Sequence, residues 1–432
     1  MRVSRVVIKN FRSITELDFE PGPLCTLIGE NNAGKSTILR ALNLVLGEQW
    51  PNERSFDEED FHNRDTDTDI VIQVYFDGPW DEERGGRYLK VAGFELSCHA
   101  LKRAGKDKGA GELDVSFVCI GPKGGRVKNP PPGYRGQGFA PDLPVTRQMR
   151  ERVPLLYVDV MREYARHQPS SRWSMLRRLI DQISASFKTD KTQISVVRDD
   201  GTTAKMSREA AYEFYTKKAF EVLRTKELAE LEDALEKNAL EQMGIDPADG
   251  EVRLGFAGYD PASAFRNLEL MIEQLGITSR AQEVGAGLQS AIVVAIFRTY
   301  EELRRGGAIF AIEEPEAFLH PQKARYFADI LERVSTAGNQ VLIATHSPFF
   351  AKLHAPETIG LVRRTTSGGT RVVQASGAAL APDLKAGLKI QSQVHAERSE
   401  LLFARRVLFV EGQTERIAMP FVFAAMGVDA NR

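Results

Sequence analysis

With 432 residues, 42% of them hydrophobic and 27% charged, the chain is long enough for more than one folded core and has the composition of an ordinary globular protein. Its net charge of -2 excludes a globally basic nucleic-acid binder, so any surface for a phosphate backbone must be a local patch. Three cysteines without paired spacing (Cys25, Cys98, Cys119) argue against a disulfide framework or a zinc site, and no apolar run approaches the ~20 residues of a membrane helix, which together read as a cytoplasmic protein with no membrane partner.

Short apolar strands are expected at residues 3–8 and 24–28, flanking an alternating stretch from Ile14 to Phe19. A Gly-containing loop and a helical pattern through Leu46 follow. Strands recur at Ile70–Phe76, Phe94–His99 and Leu113–Ile120, between polar, Gly-rich turns. Gly121–Pro144 is a long Gly/Pro-rich connection whose Lys123, Arg126, Lys128 and Arg135 suit either a DNA-facing surface or a solvated loop. After a strand at Leu155–Val160 the pattern turns helical, first over Arg172–Phe187 and then over a long charged helix or helix pair from Ser207 to Met243. That block carries no β pattern and reads as an insertion, suited to dimerisation or to packing on its own core. From Glu251 the α/β rhythm resumes with a strand, helices at Ala264–Leu275 and Leu288–Arg304, a strand at Ile309–Ile312, a helix at Gln322–Val334 and a strand at Gln340–Ala344. Such alternation implies a largely parallel sheet covered on both faces. A polar connector over residues 378–405 leads to a last apolar run, Val407–Val410.

Residues 29–36 (Gly29-Glu30-Asn31-Asn32-Ala33-Gly34-Lys35-Ser36) satisfy the pattern G-x-x-x-x-G-K-[ST] between a strand and a helix. The two glycines let the backbone wrap phosphates, and N–H groups at a helix N-terminus, through Thr37, present partial positive charge to them. Lys35 is placed at the β- and γ-phosphates and the Ser36 hydroxyl at Mg²⁺. The strand Ile309–Ile312 ends in Glu313 and Glu314. A strand end of this kind can aim one carboxylate at the metal shell and the next at an attacking water. We assign Glu313 to the metal, where aspartate is commoner, and Glu314 to water activation. ATP and Mg²⁺ are the expected cofactors.

Glu313-Glu314-Pro315-Glu316-Ala317-Phe318-Leu319-His320-Pro321, followed by Ala344-Thr345-His346-Ser347-Pro348, resembles the ABC-type ATPases of the RecF/SMC class. The resemblance implies a loop over Glu316–Pro321 that crosses a dimer and a γ-phosphate contact from His346, while His320 caps or packs. Gly285-Ala286-Gly287-Leu288-Gln289, opening an apolar helix, looks like the signature motif of that class. By resemblance Gly285, Gly287 and Gln289 grip the γ-phosphate held by an opposite subunit. Ala286 stands where serine is usual and Leu288 where glycine is usual, so a backbone grip survives, a hydroxyl contact does not, and slow turnover is expected. Gln73, mid-strand in Ile72-Gln73-Val74, reads more readily as an outward polar residue than as the Q-loop of the class.

Val410-Glu411-Gly412-Gln413-Thr414-Glu415 is similar to the start of a Toprim domain. Glu411 matches the glutamate used there for acid/base or metal chemistry, and Glu415 matches a metal-binding acid of the nuclease branch, so Mg²⁺ or another divalent metal is implied. Cleavage by paired metals needs several carboxylates holding ions roughly 3.5–4 Å apart. In that family an Asp-x-Asp strand end follows further on, and Asp429 is too near and unpaired to stand for it. DNA cleavage is therefore expected only of a longer form.

An ABC-type ATPase with a helical insertion, a C-terminal Toprim start and the opening Ile8-Lys9-Asn10-Phe11-Arg12-Ser13 resembles the OLD (overcoming lysogenisation defect) family of ATP-dependent nucleases. The fold class implied is α/β: an ABC/RecF-like P-loop ATPase with a mixed, mostly parallel sheet, a helical insertion and a truncated Toprim start. The expected division is 1–165 for an N-terminal ATPase lobe, 166–246 for the insertion, 247–375 for a C-terminal ATPase lobe, 376–405 for a connector and 406–432 for the Toprim start. The implied partners are DNA, a second copy of the chain through the ATPase face or the insertion, and an accessory helicase-like protein, with phage defence or DNA processing as the setting. A RecF-type, ATP-gated DNA-binding dimer without nuclease activity is the competing reading. Arg162, Arg166, Arg172, Arg177 and Arg178 form a candidate stripe for a DNA backbone, or pair with acids of the insertion.

Overall fold

A computed structural model of the chain describes residues 1–101, 112–129, 140–159, 168, 170, 174–223, 225–243, 246, 260–274, 276–303, 307–317, 319–351, 355–365, 369–374, 408 and 410–427. The first stretch runs β1 (Val3–Phe11), β2 (Ile14–Phe19), β3 (Leu24–Ile28), α1 (Lys35–Leu46), β4 (Ile70–Arg84), β5 (Arg87–Ala100), β6 (Leu113–Ile120), α2 (Arg147–Glu151) and β7 (Leu155–Val158). A second stretch holds α3 (Met175–Thr189), β8 (Gln193–Val197), β9 (Thr203–Ser207), α4 (Arg208–Leu223), α5 (Lys226–Met243), α6 (Pro261–Arg266), β10 (Met271–Gln274), β11 (Ile277–Arg280) and α7 (Ala286–Leu303). The remainder is β12 (Ile309–Glu313), α8 (Pro321–Thr336), β13 (Gln340–Thr345), β14 (Ile359–Arg364), β15 (Thr370–Gln374) and α9 (Gln413–Ala425). Two compact units result, one of Met1–Leu155, Ala308–Pro315 and Leu331–Arg432, the other of Leu156–Gly307 and Glu316–Ile330. Among the described residues no helix is long and apolar enough to cross a membrane.

The first unit holds two sheets. In the antiparallel one, ordered β2-β1-β4-β5-β6, alternation decides which face is buried: Ile70, Ile72, Val74 and Phe76 of β4 point inward while Val71, Gln73 and Tyr75 are half-buried. β4 and β5 run on past the apolar segments that the pattern marks, because polar residues such as Asp81 and Glu82 continue the pairing, with Lys90 and Leu89, up to the Gly85-Gly86 turn. The other sheet places β15, β14, β3, β13 and β12 side by side. β14, β3, β13 and β12 are parallel, and β15 joins β14 antiparallel. Every residue of β3, β12 and β13 is buried, as expected of strands covered on both faces. α1 packs Ile38, Leu39, Leu42, Val45 and Leu46 into the core and touches β12 and β13 as well as β4 and β5.

Polar side chains fasten this core where backbone pairing stops. Gln340, buried at the head of β13, accepts from Val3 N–H at 2.8 Å and donates to the carbonyls of Val3 (2.8 Å), Pro21 (3.2 Å) and Gly22 (3.1 Å). Arg150, buried in α2, donates to the carbonyls of Gly47 and Gln49 just beyond α1 and lies over the rings of Trp50 and Phe117. Burial pushes its guanidinium down to about 10, which leaves it protonated at neutral pH. Arg150→Ala is expected to cost about 2–4 kcal/mol of unfolding free energy, because two carbonyls lose a charged donor and two rings lose a cation. A urea titration reads this directly, and a loss below about 0.5 kcal/mol would show that the contacts do not stabilise the fold.

The second unit departs from the sequence pattern twice. The helix expected over Ala264–Leu275 stops at Arg266, and Met271–Gln274 pairs with Ile277–Arg280 as a hairpin around Gly276, whose φ of 79° suits a tight reversal. The insertion expected to lack β structure contains the hairpin β8–β9, in which Ile194 and Val196 lie opposite Met206 and Ala204. The long helical stretch is two helices, α4 and α5. Phe187 of α3 joins the helices by edge contacts with Tyr212 of α4 and Phe265 of α6, and Phe297 of α7 meets Phe327 of α8. The strand expected near Glu251 and the connector 376–405 lie outside the described residues.

Candidate nucleotide site

Parallel strands deliver their carboxyl ends to one edge of a sheet, which is where α/β proteins gather ligand-binding groups. β3 ends at the loop of residues 29–34, β13 at His346 and β12 at Glu313 and Glu314, all within the first unit. The loop is shaped by a turn in which Ala33 N–H donates to Glu30 C=O at 3.2 Å, by Asn32 at φ 63° and by Gly34 at φ 106°. A Cβ on Gly34 would overlap Thr370 Oγ1 and lie 2.8 Å from Ser13 Oγ, so glycine is required by packing as well as by conformation. α1 starts at Lys35 with no side-chain cap, so its first-turn N–H groups suit an anion.

Lys35 is 5% exposed, with Nζ donating to Gly29 C=O and Glu30 C=O, each at 2.9 Å, and lying 3.5 Å from His346 Nδ1. The other ring nitrogen, His346 Nε2, is 3.9 Å from Glu314 Oε1. The histidine thus stands between the P-loop lysine and the strand-end carboxylate. The turn that follows it is held by Ser347, whose N–H donates to Thr345 Oγ1 at 2.9 Å and whose hydroxyl accepts from Phe349 N–H at 3.4 Å. Glu313 is buried, whereas Glu314 sits at φ 41° with its N–H donating to Ala344 C=O at 2.7 Å. A left-handed glutamate costs of order 1–3 kcal/mol, and such strain gathers at functional sites.

Beside the loop opens a cavity of about 460 Å³ lined by Arg12, Ser13, Asn32, Thr37, Arg64 and Arg364, among others. That volume lies in the range of small-ligand pockets, roughly 300–1,000 Å³. The donor set, a backbone N–H cradle, a buried lysine and two strand-end carboxylates, therefore suits a nucleotide with a divalent ion. Arg12 was marked in the sequence only as part of an opening motif. It adopts φ 51° in the β1–β2 turn and pairs with the buried Asp60 at 2.6 Å. Arg364 and Thr370 carried no sequence signal at all.

Gly285, Gly287 and Gln289 belong to the second unit, at the start of α7. Gln289 Nε2 donates to the carbonyls of Gln282 (3.1 Å) and Val284 (2.8 Å), which shapes the loop ahead of the helix, and both glycines are exposed. His320 Nδ1 accepts from Gln322 N–H at 3.5 Å at the head of α8, a capping arrangement. Gln73 is held within its sheet by Glu95 (2.6 Å) and Tyr75 (2.9 Å).

The candidate DNA cations divide. Arg126 pairs with Glu95 at 2.6 Å and with Asp142 at 3.4 Å, and Lys128 pairs with Asp142 at 2.5 Å, so these two serve ion pairs within the fold. Arg177 pairs with Asp181 at 2.8 Å. Arg135, Arg162, Arg166 and Arg172, and the side chain of Arg178, lie outside the described residues.

Glu411 and Glu415 are exposed at the start of α9. Among the described residues no three His, Cys, Asp or Glu side chains come together to hold a metal. Two carboxylates do not make a paired-ion cage.

The family described as AAA ATPase domain matches residues 1–128 and 154–351. The overcoming lysogenization defect protein-like TOPRIM domain matches residues 402–432. An OLD nuclease of Thermus scotoductus (strain ATCC 700910 / SA-01) is 33% identical over 433 residues, spanning 99% of this chain and 75% of that protein. The chain belongs to the OLD nuclease family. The Old nuclease of Escherichia phage P2 is 29% identical over 147 residues, 30% of this chain and 24% of that protein. Among solved structures, an SMC head bound to the C-winged helix domain of ScpA superposes with a TM-score of 0.47 at 15% identity, over 87% of this chain and 98% of that one. The SMC head domain from Thermotoga maritima gives a TM-score of 0.36 at 14% identity, over 87% and 100%. Membership in the OLD family favours an ATPase linked to a nuclease over a RecF-type clamp, and its ATPase and Toprim domains imply a nucleotide and a divalent metal as cofactors.

Proposed function

We propose that this OLD-family chain binds ATP with Mg²⁺ at the P-loop of its first unit and hydrolyses it, as the ATPase region of a DNA nuclease acting in phage defence or DNA processing in the cytoplasm. The observation that carries the reading is the line from Lys35 through His346 to Glu314, set by the carboxyl ends of β3, β13 and β12. In it Lys35 and the N–H groups of residues 29–37 hold the phosphates, Ser36 and Glu313 hold the ion, and Glu314 takes a proton from the attacking water. His346 orients Glu314 and meets the γ-phosphate. Bound Mg²⁺ would supply charge that offsets the negative charge of the transferring phosphoryl group.

Gly285, Gly287 and Gln289 serve the site of a second copy, so hydrolysis proceeds in a dimer, slowed by Ala286. Exposed apolar side chains on α4 and α5 (Tyr215, Val222, Leu223, Leu231, Leu235) support a second contact between copies through the insertion. In a longer form the Toprim domain, with Glu411 and Glu415 among its acids, cleaves the DNA, and an accessory helicase-like protein is a further partner. Sedimentation velocity of the Glu314→Gln chain with labelled duplex DNA tests this. A DNA-bound dimer is expected with MgATP, lost when Lys35→Ala is added and weakened by salt. A monomer free of DNA at all nucleotide concentrations would contradict the proposal.

A further inference from the structure

The hairpin β14–β15 follows His346 in the chain, and its two strands pair with Arg364 opposite Thr370 and Arg363 opposite Arg371. Residues directly opposite in an antiparallel pair project from the same face, and neighbours along a strand from opposite faces. Arg364 and Thr370 therefore share one face, and Arg363 and Arg371 the other.

Thr370 shows what its face meets. It is 3% exposed, and its hydroxyl lies 3.0 Å from each of Ser13 C=O, Ser13 Oγ and Ala33 C=O, while its N–H donates to Ser13 C=O at 3.0 Å. Ala33 belongs to the P-loop, and the next residue, Gly34, leaves no room for a Cβ against Thr370. Ser13 Oγ in turn stands 3.4 Å from Thr37 Oγ1 in the first turn of α1. A chain of hydroxyls thus ties β15 to the β1–β2 turn and to the end of the phosphate loop where α1 begins.

Arg364, on the same face, lines the cavity beside the loop together with Ser13, Asn32 and Thr37. The two other arginines there each have a carboxylate: Arg12 has Asp60 at 2.6 Å and Arg64 has Glu59 at 2.8 Å. Arg364 forms no ion pair with another described residue, so the wall keeps one positive charge in excess. We propose that the β14–β15 hairpin completes the nucleotide site, with Arg364 binding the α-phosphate and Thr370 positioning the P-loop. The inference rests on the P-loop binding a nucleotide as set out above. The loop and Lys35 take the β- and γ-phosphates, and Thr37 follows Ser36 along α1. In the adjoining cavity the anion left for a guanidinium is the α-phosphate, since ribose and base are uncharged.

Isothermal titration of the full chain with MgATP and with MgADP tests the arginine. Arg364→Ala weakens both ligands by the same factor, roughly 10- to 100-fold, because both carry an α-phosphate. Arg363→Ala, on the opposite face, leaves both affinities at the wild-type value. For Thr370→Val, KM for ATP rises roughly tenfold with kcat within about twofold, and Thr370→Ser restores KM, as expected when one hydrogen-bonded hydroxyl is lost and regained. Wild-type affinities in Arg364→Ala, a loss for MgATP alone, or an equal loss in Arg363→Ala would overturn the assignment of Arg364. A fall in kcat or in the thermal midpoint of Thr370→Val without a change in KM, or no recovery in Thr370→Ser, would make the threonine merely structural. Lys35→Ala run alongside separates the two levels: if it binds normally the P-loop reading fails, and if it loses binding while Arg364→Ala does not, only the present inference fails.

Discussion

Glu314→Gln is expected to bind MgATP as the parent chain does while losing about 10²- to 10⁴-fold in turnover, the usual worth of a positioned general base. The carboxylate is aimed by its backbone: φ of 41° and the 2.7 Å bond to Ala344 C=O turn the side chain out of the β12 direction, to within 3.9 Å of His346 Nε2. Glutamine keeps the length, the planar end and the backbone geometry, so none of the phosphate-binding groups on residues 29–37 moves. What it loses is the capacity to accept a proton from water. Equilibrium nucleotide binding and single-turnover phosphate release, measured on the same preparation, separate the two effects. Turnover within about tenfold of the parent would remove Glu314 from the role of base.

Lys35→Ala acts one step earlier. A buried ammonium held by two loop carbonyls at 2.9 Å is pre-positioned, so its attraction for phosphate is not spent on ordering a flexible side chain. Removing one partner of a close, desolvated charge pair costs roughly 2–5 kcal/mol, which corresponds to a fall of about 30-fold or more in affinity for MgATP. The fold should persist, since alanine suits a first helical turn and the freed carbonyls lie beside the exposed residues Glu30–Asn32. Titration calorimetry with a thermal melt as control checks both parts. Unchanged affinity would mean that the phosphates bind elsewhere.

The parts of this site that were legible in the sequence are those written locally. A strand, a Gly-containing loop and a helix fall within Leu24–Leu46, and a buried strand ends in Glu313-Glu314, so periodicity and motif spacing suffice to find them. His346 came from resemblance to a family, and the structure sets it between Lys35 and Glu314. Thr370 and Arg364 stayed hidden because they reach the loop through the strand order β15-β14-β3, and a neighbour relation across 337 residues, as between Thr370 and Ala33, leaves no local trace. The pattern over Ala264–Leu275 reads β10 as the end of a helix because Met271, Glu273 and Gln274 favour helices on their own. Pairing with Ile277–Arg280 overrides that weak preference. Charge was ambiguous in a similar way: Arg126 and Lys128 suit either a DNA-facing surface or a solvated loop, and in the fold Glu95 and Asp142 pair with them across the sheet and loop. Composition counts charges without showing which of them already have partners.

In the proposed mechanism the P-loop of the first unit hydrolyses ATP with the strand-end glutamate as base. Steady-state phosphate release from MgATP, measured on the parent chain, Lys35→Ala and Glu314→Gln purified in parallel, tests it most directly. Slow release by the parent, with both variants at background, is the expected result. Equal release by all three would place the activity outside this site and contradict the account.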